Sequence, residues 1–270
     1  MPEGHTIHRL ALDHQQELAG DVLAVSSPQG RHARLAAVLD GHVLESVEAH
    51  GKHLFYDWLD APGLHIHLGL VGRFRQNPSP PPAPSSTVQL RLAGPRATVD
   101  LIGATTCELI DQSGRELILG RLGPDLLAAE DNPEPAWTRL SGRSVPMAAA
   151  LLDQRNLSGV GNVYRSEALF LNGIHPERPA SSLSRDEFDR LWGTLRTMLR
   201  QGVEDRRIVT VHPSERASVG DGVVEVGPED SFYVYKQQHC RRCGTPIRVW
   251  PVAGRRVYAC EHCQPPPGSA

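Results

Sequence analysis

Two groups of residues at opposite ends of the chain have types and spacing that could support chemistry. The chain begins Met1-Pro2-Glu3-Gly4, and two C-x-x-C pairs lie near its other end. The first group offers a possible amino-terminal nucleophile, and the second offers four thiolates for a metal ion. Neither group is informative alone, because proline is common after an initiator methionine and zinc ribbons serve many proteins. Together they suggest catalysis on nucleic acid.

The two cysteine pairs have the spacing of a metal site, C-x2-C-x16-C-x2-C, formed by Cys240, Cys243, Cys260 and Cys263. Each pair presents two thiolates on a tight turn, and a hairpin between the pairs completes a tetrahedron that suits Zn2+. A redox dithiol or an iron–sulfur cluster is the alternative. Four protein ligands leave no position for water, so the predicted zinc is structural. Cys107 lies outside the pattern and is expected to be a small buried residue.

A glycine-rich turn, Gln154–Gly161, separates a short predicted helix (147–153) from another that begins at Asn162. Glycines let backbone amides approach a ligand closely, and Asn162 as the expected N-cap residue would add a side-chain donor where the helix dipole favours an anion. A phosphate would fit such a site. A plain helical hairpin remains the alternative for this pattern alone.

Composition limits the classes of protein to which the chain can belong. Its 270 residues are 40% hydrophobic, with a formal net charge of −3 and a pI near 6.5. The length favours two domains, and the charge excludes a surface that is basic throughout. The stretch Lys236–Cys263 carries six basic side chains against Glu261 alone. No long apolar run or signal-peptide pattern occurs, so an intracellular, cytoplasmic protein is expected.

Periodicity predicts the elements that must position these residues. Apolar residues at helical spacing indicate a first helix that ends at Gly20, and a second amphipathic helix covers Phe188–Leu199. Alternating segments predict strands of a mostly antiparallel sheet or sandwich, listed as 43–56, 64–68, 88–92, 98–102 and 107–110. The proline-rich stretch 77–86 is predicted to be a loop, as is the glycine-containing stretch 207–230.

The motifs together resemble the formamidopyrimidine-DNA glycosylase and endonuclease VIII family of base-excision repair enzymes. The resemblance spans nearly the whole chain. It rests on six landmarks in the family's order: Pro2-Glu3-Gly4; Gly51-Lys52-His53-Leu54; His67-Leu68-Gly69-Leu70-Val71-Gly72; Leu122-Gly123-Pro124; Asp153-Gln154 with Gly159-Val160-Gly161-Asn162-Val163-Tyr164; and the cysteine ribbon with Arg255 five positions before Cys260.

The resemblance implies an α+β fold with a catalytic antiparallel β-sandwich behind an N-terminal helix. This domain is expected over residues 1–124, followed by a linker (125–135). A helix-two-turns-helix DNA-binding domain is expected over 136–235, and a zinc-ribbon β-hairpin, or zinc finger, over 236–264. The expected partner is double-stranded DNA that carries damaged bases or abasic sites, bound by a monomer that is associated with the nucleoid only through DNA. No membrane association is expected.

The resemblance also implies a bifunctional DNA glycosylase and abasic-site lyase that removes an oxidised base and then nicks the strand. After loss of Met1, the secondary amine of Pro2 would attack the sugar and form an iminium ion. An α-amino group titrates near about 7.7 to 8.0, so a useful fraction of this amine would be neutral and nucleophilic at physiological pH. Glu3 would shuttle protons, and Lys52 would assist at the phosphate or the leaving group.

The same resemblance assigns DNA contacts. Asn162 and Arg255 match the family's phosphate ligands, and with Lys52 they would grip the backbone and drive the damaged nucleotide out of the duplex. Leu70 is the candidate wedge that fills the vacated stack, with a core leucine as the alternative. Two histidine pairs, His5 with His8 and His65 with His67, share a face of a predicted element and are interpreted as structural or DNA-facing rather than metal-binding.

Departures from the family's pattern favour the endonuclease VIII branch, which acts on oxidised pyrimidines. The formamidopyrimidine type carries an Asp-Pro-Arg-Arg-Phe-Gly string whose Arg and Phe support the opposite base, whereas this chain reads Asp100-Leu101-Ile102-Gly103-Ala104-Thr105. Thr6 also stands where that type has a second Glu. A purine-directed glycosylase of the same family and a non-catalytic zinc-ribbon DNA-binding protein are the alternatives.

Overall fold

The computed structural model describes residues 2–78, 80–215, 227 and 230–268. The chain divides into two compact units, Met1–Arg121 and Leu122–Ala270. Each unit has a hydrophobic core of its own. Within the described ranges, no helix has the length and the apolar character needed to cross a membrane.

The first unit is an antiparallel β-sandwich with an N-terminal helix, as predicted. Its described elements are α1 (Gly4–Leu18), β1 (Ala24–Ser26), α2 (Ala33–Leu39), β2 (Leu44–His50), β3 (His53–Trp58), β4 (Ala61–His67), β5 (Arg73–Asn77), β6 (Val88–Ala93), β7 (Thr98–Ile102), β8 (Thr106–Ile110) and α3 (Gln112–Leu119). One sheet has the strand order β1-β6-β7-β5 and the other has the order β2-β3-β4-β8. All strand pairs in both sheets are antiparallel.

Alternation along β3 gives the second sheet two different faces. Leu54, Tyr56 and Trp58 are buried in the core of the first unit. Because side chains of a strand point alternately to opposite faces, His53 and Phe55 lie on the other side of the sheet. The sandwich therefore carries a second, histidine-containing face behind its apolar core.

Helix α1 covers this core with residues at the predicted helical spacing. Its apolar side chains Ile7, Ala11 and Leu18 are buried, and so is His14. The Nδ1 atom of His14 lies 2.8 Å from the hydroxyl of Tyr56. Burial lowers the pKa of His14 to about 4, so this imidazole is neutral at physiological pH.

Some elements differ from the sequence-based prediction. Helices α2 and α3 and strands β1 and β5 were not predicted. Helix α2 has only seven residues, too few for helical periodicity to stand out, and β5 is a polar strand at the edge of its sheet. The predicted loop at 207–230 falls largely on residues 216–226 and 228–229, which lie outside the described residues.

The second unit combines helices with a β-hairpin. Its described helices and strands are α4 (Glu134–Ser141), α5 (Met147–Leu152), α6 (Asn162–Leu171), α7 (Arg185–Asp205), β9 (Arg248–Val252) and β10 (Arg255–Ala259). Helix α7 contains the predicted amphipathic segment and begins with a capping box, in which Ser184 and Glu187 each accept a backbone N–H of the other. The helices pack around one apolar core. The fold class predicted from the sequence is confirmed, whereas the predicted boundaries of the domains stay a prediction.

The neutral, buried His14 predicts that the protein loses stability in acid. Unfolding returns the His14 pKa from about 4 to 6.5, so the unfolded chain takes up a proton first as the pH falls. The stabilising contribution of neutral His14 is therefore fully present above the unfolded pKa and is lost as the pH falls toward the folded pKa. Protonation of this residue alone should lower the free energy of unfolding by about 2 kcal/mol when the pH falls from about 7 to 5. Urea unfolding at both pH values measures this difference.

The matched pair for this experiment is His14→Gln and His42→Gln. The His14→Gln protein should lose less stability than wild type over the same pH interval. The His42→Gln protein should behave as wild type, because the His42 imidazole contacts the Leu59 carbonyl oxygen at the surface. An unchanged pH dependence in His14→Gln would show that another group takes up the proton.

Candidate functional site

The predicted nucleophile and its neighbouring carboxylate lie at the start of α1. Glu3 is the N-cap residue, and its carbonyl oxygen accepts the N–H groups of Thr6 at 2.9 Å and Ile7 at 3.3 Å. Glu3 is fully buried, whereas Pro2 is half-buried. Because Ile7 is a core residue, the helix fixes the backbone that carries both side chains. Met1 lies outside the described residues, so its removal stays a prediction.

Lys52 lies in the tight turn between β2 and β3, where His50 pairs with His53. Gly51 makes this turn possible because its φ of 57° is in the left-handed region that favours glycine. Burial lowers the pKa of His53, to about 3, and that of His67, and the charge of Lys52 lowers both further. The lysine ammonium therefore lies within electrostatic reach of two neutral imidazoles.

The loop between β4 and β5 presents Leu70 to solvent. Leu70 is 58% exposed and Val71 is 72% exposed, so the alternative that Leu70 is a core residue is wrong. Gly69 permits this conformation: its φ is 69°, and a Cβ there would lie 2.4 Å from Cγ2 of Thr105. The role of Leu70 as a wedge stays a prediction. The exposure of Val71 beside it was not predicted.

Gln154 holds the glycine-rich turn of the second unit together. Its Nε2 donates to the carbonyl oxygen of Val160 at 3.0 Å, and its Oε1 accepts the N–H of Gly159 at 3.1 Å. Gly123 packs against the same turn. Its N–H donates to the carbonyl oxygen of Gln154 at 2.8 Å, and a Cβ would lie 2.4 Å from the carbonyl carbon of Asn156. The Gly123 motif and the turn are therefore one packed structure.

Asn162 contacts the β-hairpin that carries Arg255. Its Nδ2 donates to the carbonyl oxygen of Arg256 at 2.9 Å, and Arg165 donates to the same oxygen at 3.1 Å and to Oδ1 of Asn162. The structure thus brings two predicted phosphate ligands onto neighbouring segments. The expectation that Asn162 is the N-cap residue is wrong: Gly161 is the N-cap, because its extended backbone precedes the first helical residue, Asn162.

Glu167 fixes the segment that leads into the cysteine ribbon. Its fully buried carboxylate accepts three consecutive backbone N–H groups, those of Tyr233, Val234 and Tyr235, at 2.8 to 2.9 Å, and also the hydroxyl of Thr210. Burial raises its pKa, and these hydrogen bonds act in the opposite direction. Sequence reasoning missed both Glu167 and Arg165. The available signal was the presence of charged residues in a helix that is otherwise largely apolar.

The four cysteines of the ribbon form a cluster suited to a metal ion. Their Sγ atoms all lie within 4.8 Å of one another, and none of the four forms a disulfide. A tetrahedral ion with bonds of about 2.3 Å to sulfur separates its ligand atoms by about 3.8 Å. Sγ of Cys263 lies 3.9 Å from that of Cys240 and 3.6 Å from that of Cys243, and the Cys243–Cys260 distance is 3.4 Å. The donor atoms therefore fit a tetrahedral ion.

The ribbon is less basic than its sequence indicates, because acidic partners neutralise part of its charge. Three of its arginines form ion pairs: Arg241 with Asp230, Arg242 with Glu215 and Arg248 with Glu261. Arg255 and Arg256 begin strand β10, directly after the hairpin turn, where Arg255 pairs with Val252. The charges of Arg241, Arg242 and Arg248 are therefore partly neutralised within the protein.

Comparisons with known proteins agree along the whole chain. The family model described as the formamidopyrimidine-DNA glycosylase N-terminal domain matches residues 1–105, and the one described as the H2TH domain of the same enzyme matches 122–213. Endonuclease 8 1 of Mycobacterium tuberculosis H37Rv is 41% identical over 98% of this chain and 100% of its own length. The chain belongs to the formamidopyrimidine-DNA glycosylase and endonuclease VIII family. A formamidopyrimidine-DNA glycosylase of Thermomicrobium roseum is 34% identical over 83% of this chain and 82% of its own.

Solved structures of the family share this fold. Lactococcus lactis Fpg, in a complex with DNA that contains N7-benzyl-Fapy-dG, superimposes with a TM-score of 0.79 at 21% identity, and covers 98% of this chain and 100% of its own. The same enzyme with abasic-site DNA gives 0.80 at 20% identity, with the same coverage. At this level of identity, the likeness to these structures shows only that the two proteins share a fold.

The contacts of Glu167 predict a large loss of stability on an isosteric change in this family member. In Glu167→Gln, the new amide group would turn an N–H donor toward backbone N–H groups, leaving buried donors without an acceptor. Such a loss costs about 2 to 4 kcal/mol in the free energy of unfolding. Urea unfolding followed by tryptophan fluorescence measures it. The exposed Glu204→Gln is the control and should change stability by less than about 0.5 kcal/mol. Equal stability of the two variants would contradict the assigned role.

Proposed function

We propose that the protein is a bifunctional DNA glycosylase and abasic-site lyase, and that its substrate is double-stranded DNA with an oxidised base. The single observation that carries this proposal is the position of Pro2 and the buried Glu3 at the rigid start of α1. The 41% identity to an endonuclease 8 over nearly the whole chain supports it. An amino-terminal imine former needs a fixed backbone, and α1 supplies one.

In the proposed reaction, the nitrogen of Pro2 attacks C1′ of the damaged nucleotide. The new C–N bond replaces the glycosidic bond, whose electrons leave with the base. Glu3 protonates the ring oxygen as the sugar opens, and an iminium ion forms between Pro2 and C1′. Because this nitrogen is secondary, the iminium has no N–H proton to lose. It accepts the electrons released when the C2′ proton is removed, and the 3′ phosphate and then the 5′ phosphate leave.

The remaining site residues act on the DNA backbone and on the duplex in this proposal. Lys52, Asn162 and Arg255 bind phosphates, and their grip offsets the cost of unstacking the damaged nucleotide, a few kcal/mol. Leu70 and the more exposed Val71 enter the space that the nucleotide leaves. Both are apolar and project from one short loop, so they can fill that space without a compensating hydrogen bond.

Oxidised pyrimidines are the proposed lesion class. The first three residues of the stretch that carries the Arg and Phe support in the formamidopyrimidine type belong here to β7. Asp100, the first residue of the stretch, is fully buried and bound to Arg91 at 2.6 and 2.9 Å and to Arg75 at 2.9 Å. This carboxylate belongs to an ion network inside the sheet. The stretch 100–105 therefore lacks the side chains for the purine-type support.

Borohydride trapping across a panel of lesions tests this function. Duplexes with thymine glycol, dihydrouracil or 8-oxoguanine should be trapped as covalent adducts, with the two pyrimidine lesions trapped at least tenfold faster than the guanine lesion. Pro2→Gly should lower trapping on every duplex by more than tenfold, because the secondary amine is lost. Pro62→Gly changes an exposed proline of β4 and should trap as wild type.

Two outcomes would separate the alternatives. Faster trapping on 8-oxoguanine would identify a purine-directed enzyme of the same family. Tight DNA binding without any adduct, in a preparation from which mass spectrometry shows Met1 to be removed, would identify a non-catalytic DNA-binding protein. Either result would contradict the proposal.

We also propose that the ion at the cysteine cluster is zinc and that it is structural. When bound, zinc would supply only a cross-link between the two C-x-x-C turns, since four thiolates complete its coordination. The purified protein should contain about one zinc per chain by elemental analysis. Cys260→Ser should lose the metal and unfold the ribbon, whereas Cys107→Ser should keep one equivalent, because Cys107 lies in β8 of the other unit. Iron with the visible absorption of a cluster would contradict zinc.

A further inference from the structure

The histidine-containing face of the second sheet holds a cluster that the proposed mechanism does not use. In the sheet register, His53 of β3 lies opposite His67 of β4, and Phe55 lies opposite His65. His65 in turn pairs with Glu108 of β8. The imidazole of His65 is buried and stacks on Phe55 at 5.2 Å and on His53 at 5.1 Å. The cluster therefore spans three strands and begins at the residue directly after Lys52.

Hydrogen bonds connect the members of this cluster in one direction. Nδ1 of His65 lies 2.9 Å from Oε1 of Glu108, and Nε2 of His65 lies 2.9 Å from Nδ1 of His53. A carboxylate only accepts hydrogen bonds, so Nδ1 of His65 carries a hydrogen, and in the neutral imidazole its Nε2 is the acceptor. The proton between the two rings then belongs to Nδ1 of His53. This leaves Nε2 of His53 as a hydrogen-bond acceptor.

The arrangement is a hydrogen-bond chain and not a metal cradle. Among the described residues, only the ribbon cysteines bring three or more metal-binding donor atoms together. Both ring nitrogens of His65 are engaged in hydrogen bonds, one with Glu108 and the other with His53. The interpretation of His65 and His67 as a metal pair is thus not supported.

The charged and titratable groups that face His53 come from each neighbouring strand and from the turn. They are His50 of β2, Lys52 of the turn, His65 and His67 of β4, and Glu108 beyond His65. His67 carries its ring hydrogen on the opposite nitrogen from His53. Its Nδ1 accepts the N–H of Gly69 at 3.2 Å, so its Nε2 carries the hydrogen. The two imidazoles near Lys52 therefore offer one acceptor and one donor.

We propose that Glu108, His65 and His53 form a relay that holds His53 as a hydrogen-bond acceptor beside Lys52, which makes His53 a positioning residue for that lysine. The inference rests on the proposed function, since it takes Lys52 to act on the DNA backbone. An ammonium has three donors on a flexible stem, and a fixed acceptor next to it restricts where the charge can lie. A protonated His53 would repel the lysine, and burial of the ring disfavours that state.

Two amide substitutions of His53 distinguish the role of its Nε2 atom from the role of its Nδ1 atom. In His53→Gln the carbonyl oxygen can replace Nε2 as acceptor, whereas in His53→Asn the amide reaches only the Nδ1 position. Single-turnover nicking of a duplex with a preformed abasic site should fall about ten- to a hundredfold in His53→Asn and His53→Phe, and less than about threefold in His53→Gln. His65→Phe keeps the stacking on Phe55 but breaks the relay, and should also fall about tenfold.

A surface histidine provides the matched control. His42→Phe lies in the same unit and outside the cluster, and should nick at the wild-type rate. Wild-type rates in both His53→Phe and His65→Phe would overturn the positioning role. Equal losses in His53→Gln and His53→Asn would overturn it too, because a structural defect does not distinguish the two amides.

Nitrogen-15 spectra of histidine-labelled protein test the relay without any activity measurement. His53 and His65 are assigned through the signals lost in His53→Gln and His65→Phe. The hydrogen of His53 should lie on Nδ1, the less common tautomer, and Nδ1 of His65 should also carry a hydrogen. In His65→Phe the hydrogen of His53 should move to Nε2. A wild-type His53 with its hydrogen on Nε2 would refute the relay. Absence of nicking by wild type on all duplexes, with the expected tautomers present, would refute the proposed function and leave the relay standing.

Discussion

Two buried charges on helix α6 fix the arrangement of the second unit. Arg165 and Glu167 are both fully buried, and a buried charge is costly unless it is completely hydrogen-bonded. Arg165 donates to backbone carbonyl groups of Ala148 and Arg256, and Glu167 accepts three backbone N–H groups at Tyr233–Tyr235. One helix thus binds an earlier helix, the hairpin and the segment before the ribbon. None of these can move without leaving a charge unpaired.

The first unit fixes its functional loops by strand register. His53 follows Lys52 directly, and His67 precedes the loop that carries Leu70. Because these two histidines are paired across β3 and β4, the bases of both loops lie side by side. Backbone hydrogen bonds of the sheet therefore set the separation between Lys52, the phosphate ligand of the proposed function, and the exposed Leu70. The same pairing places the relay beneath both loops.

The sequence predicted those elements whose signal is local. Helix α1, six of the eight strands of the sandwich (all except β1 and β5), the amphipathic α7 and the cysteine turns follow from periodicity or spacing, and the structure has them. Arg165, Glu167 and Glu108 could not be assigned in the same way, because their roles depend on backbone groups or side chains far away in the sequence. Leu70 shows the same limit. Its neighbours Leu64, Ile66 and Leu68 continue an apolar alternation, and only the left-handed Gly69 ends it.

The ion network of Asp100 connects the architecture of the sandwich with the proposed lesion class. An acidic side chain at a fully buried position is stable only with its partners, and Arg91 and Arg75 satisfy it from neighbouring strands. Although burial alone would raise the pKa of Asp100, the hydrogen bonds from these arginines lower it below its usual value, so the network stays charged at neutral pH. The chain that follows is therefore tied into β7 and then turns at Gly103. Under the proposed function, filling of the duplex falls to the loop between β4 and β5, which carries the exposed apolar side chains of Leu70 and Val71.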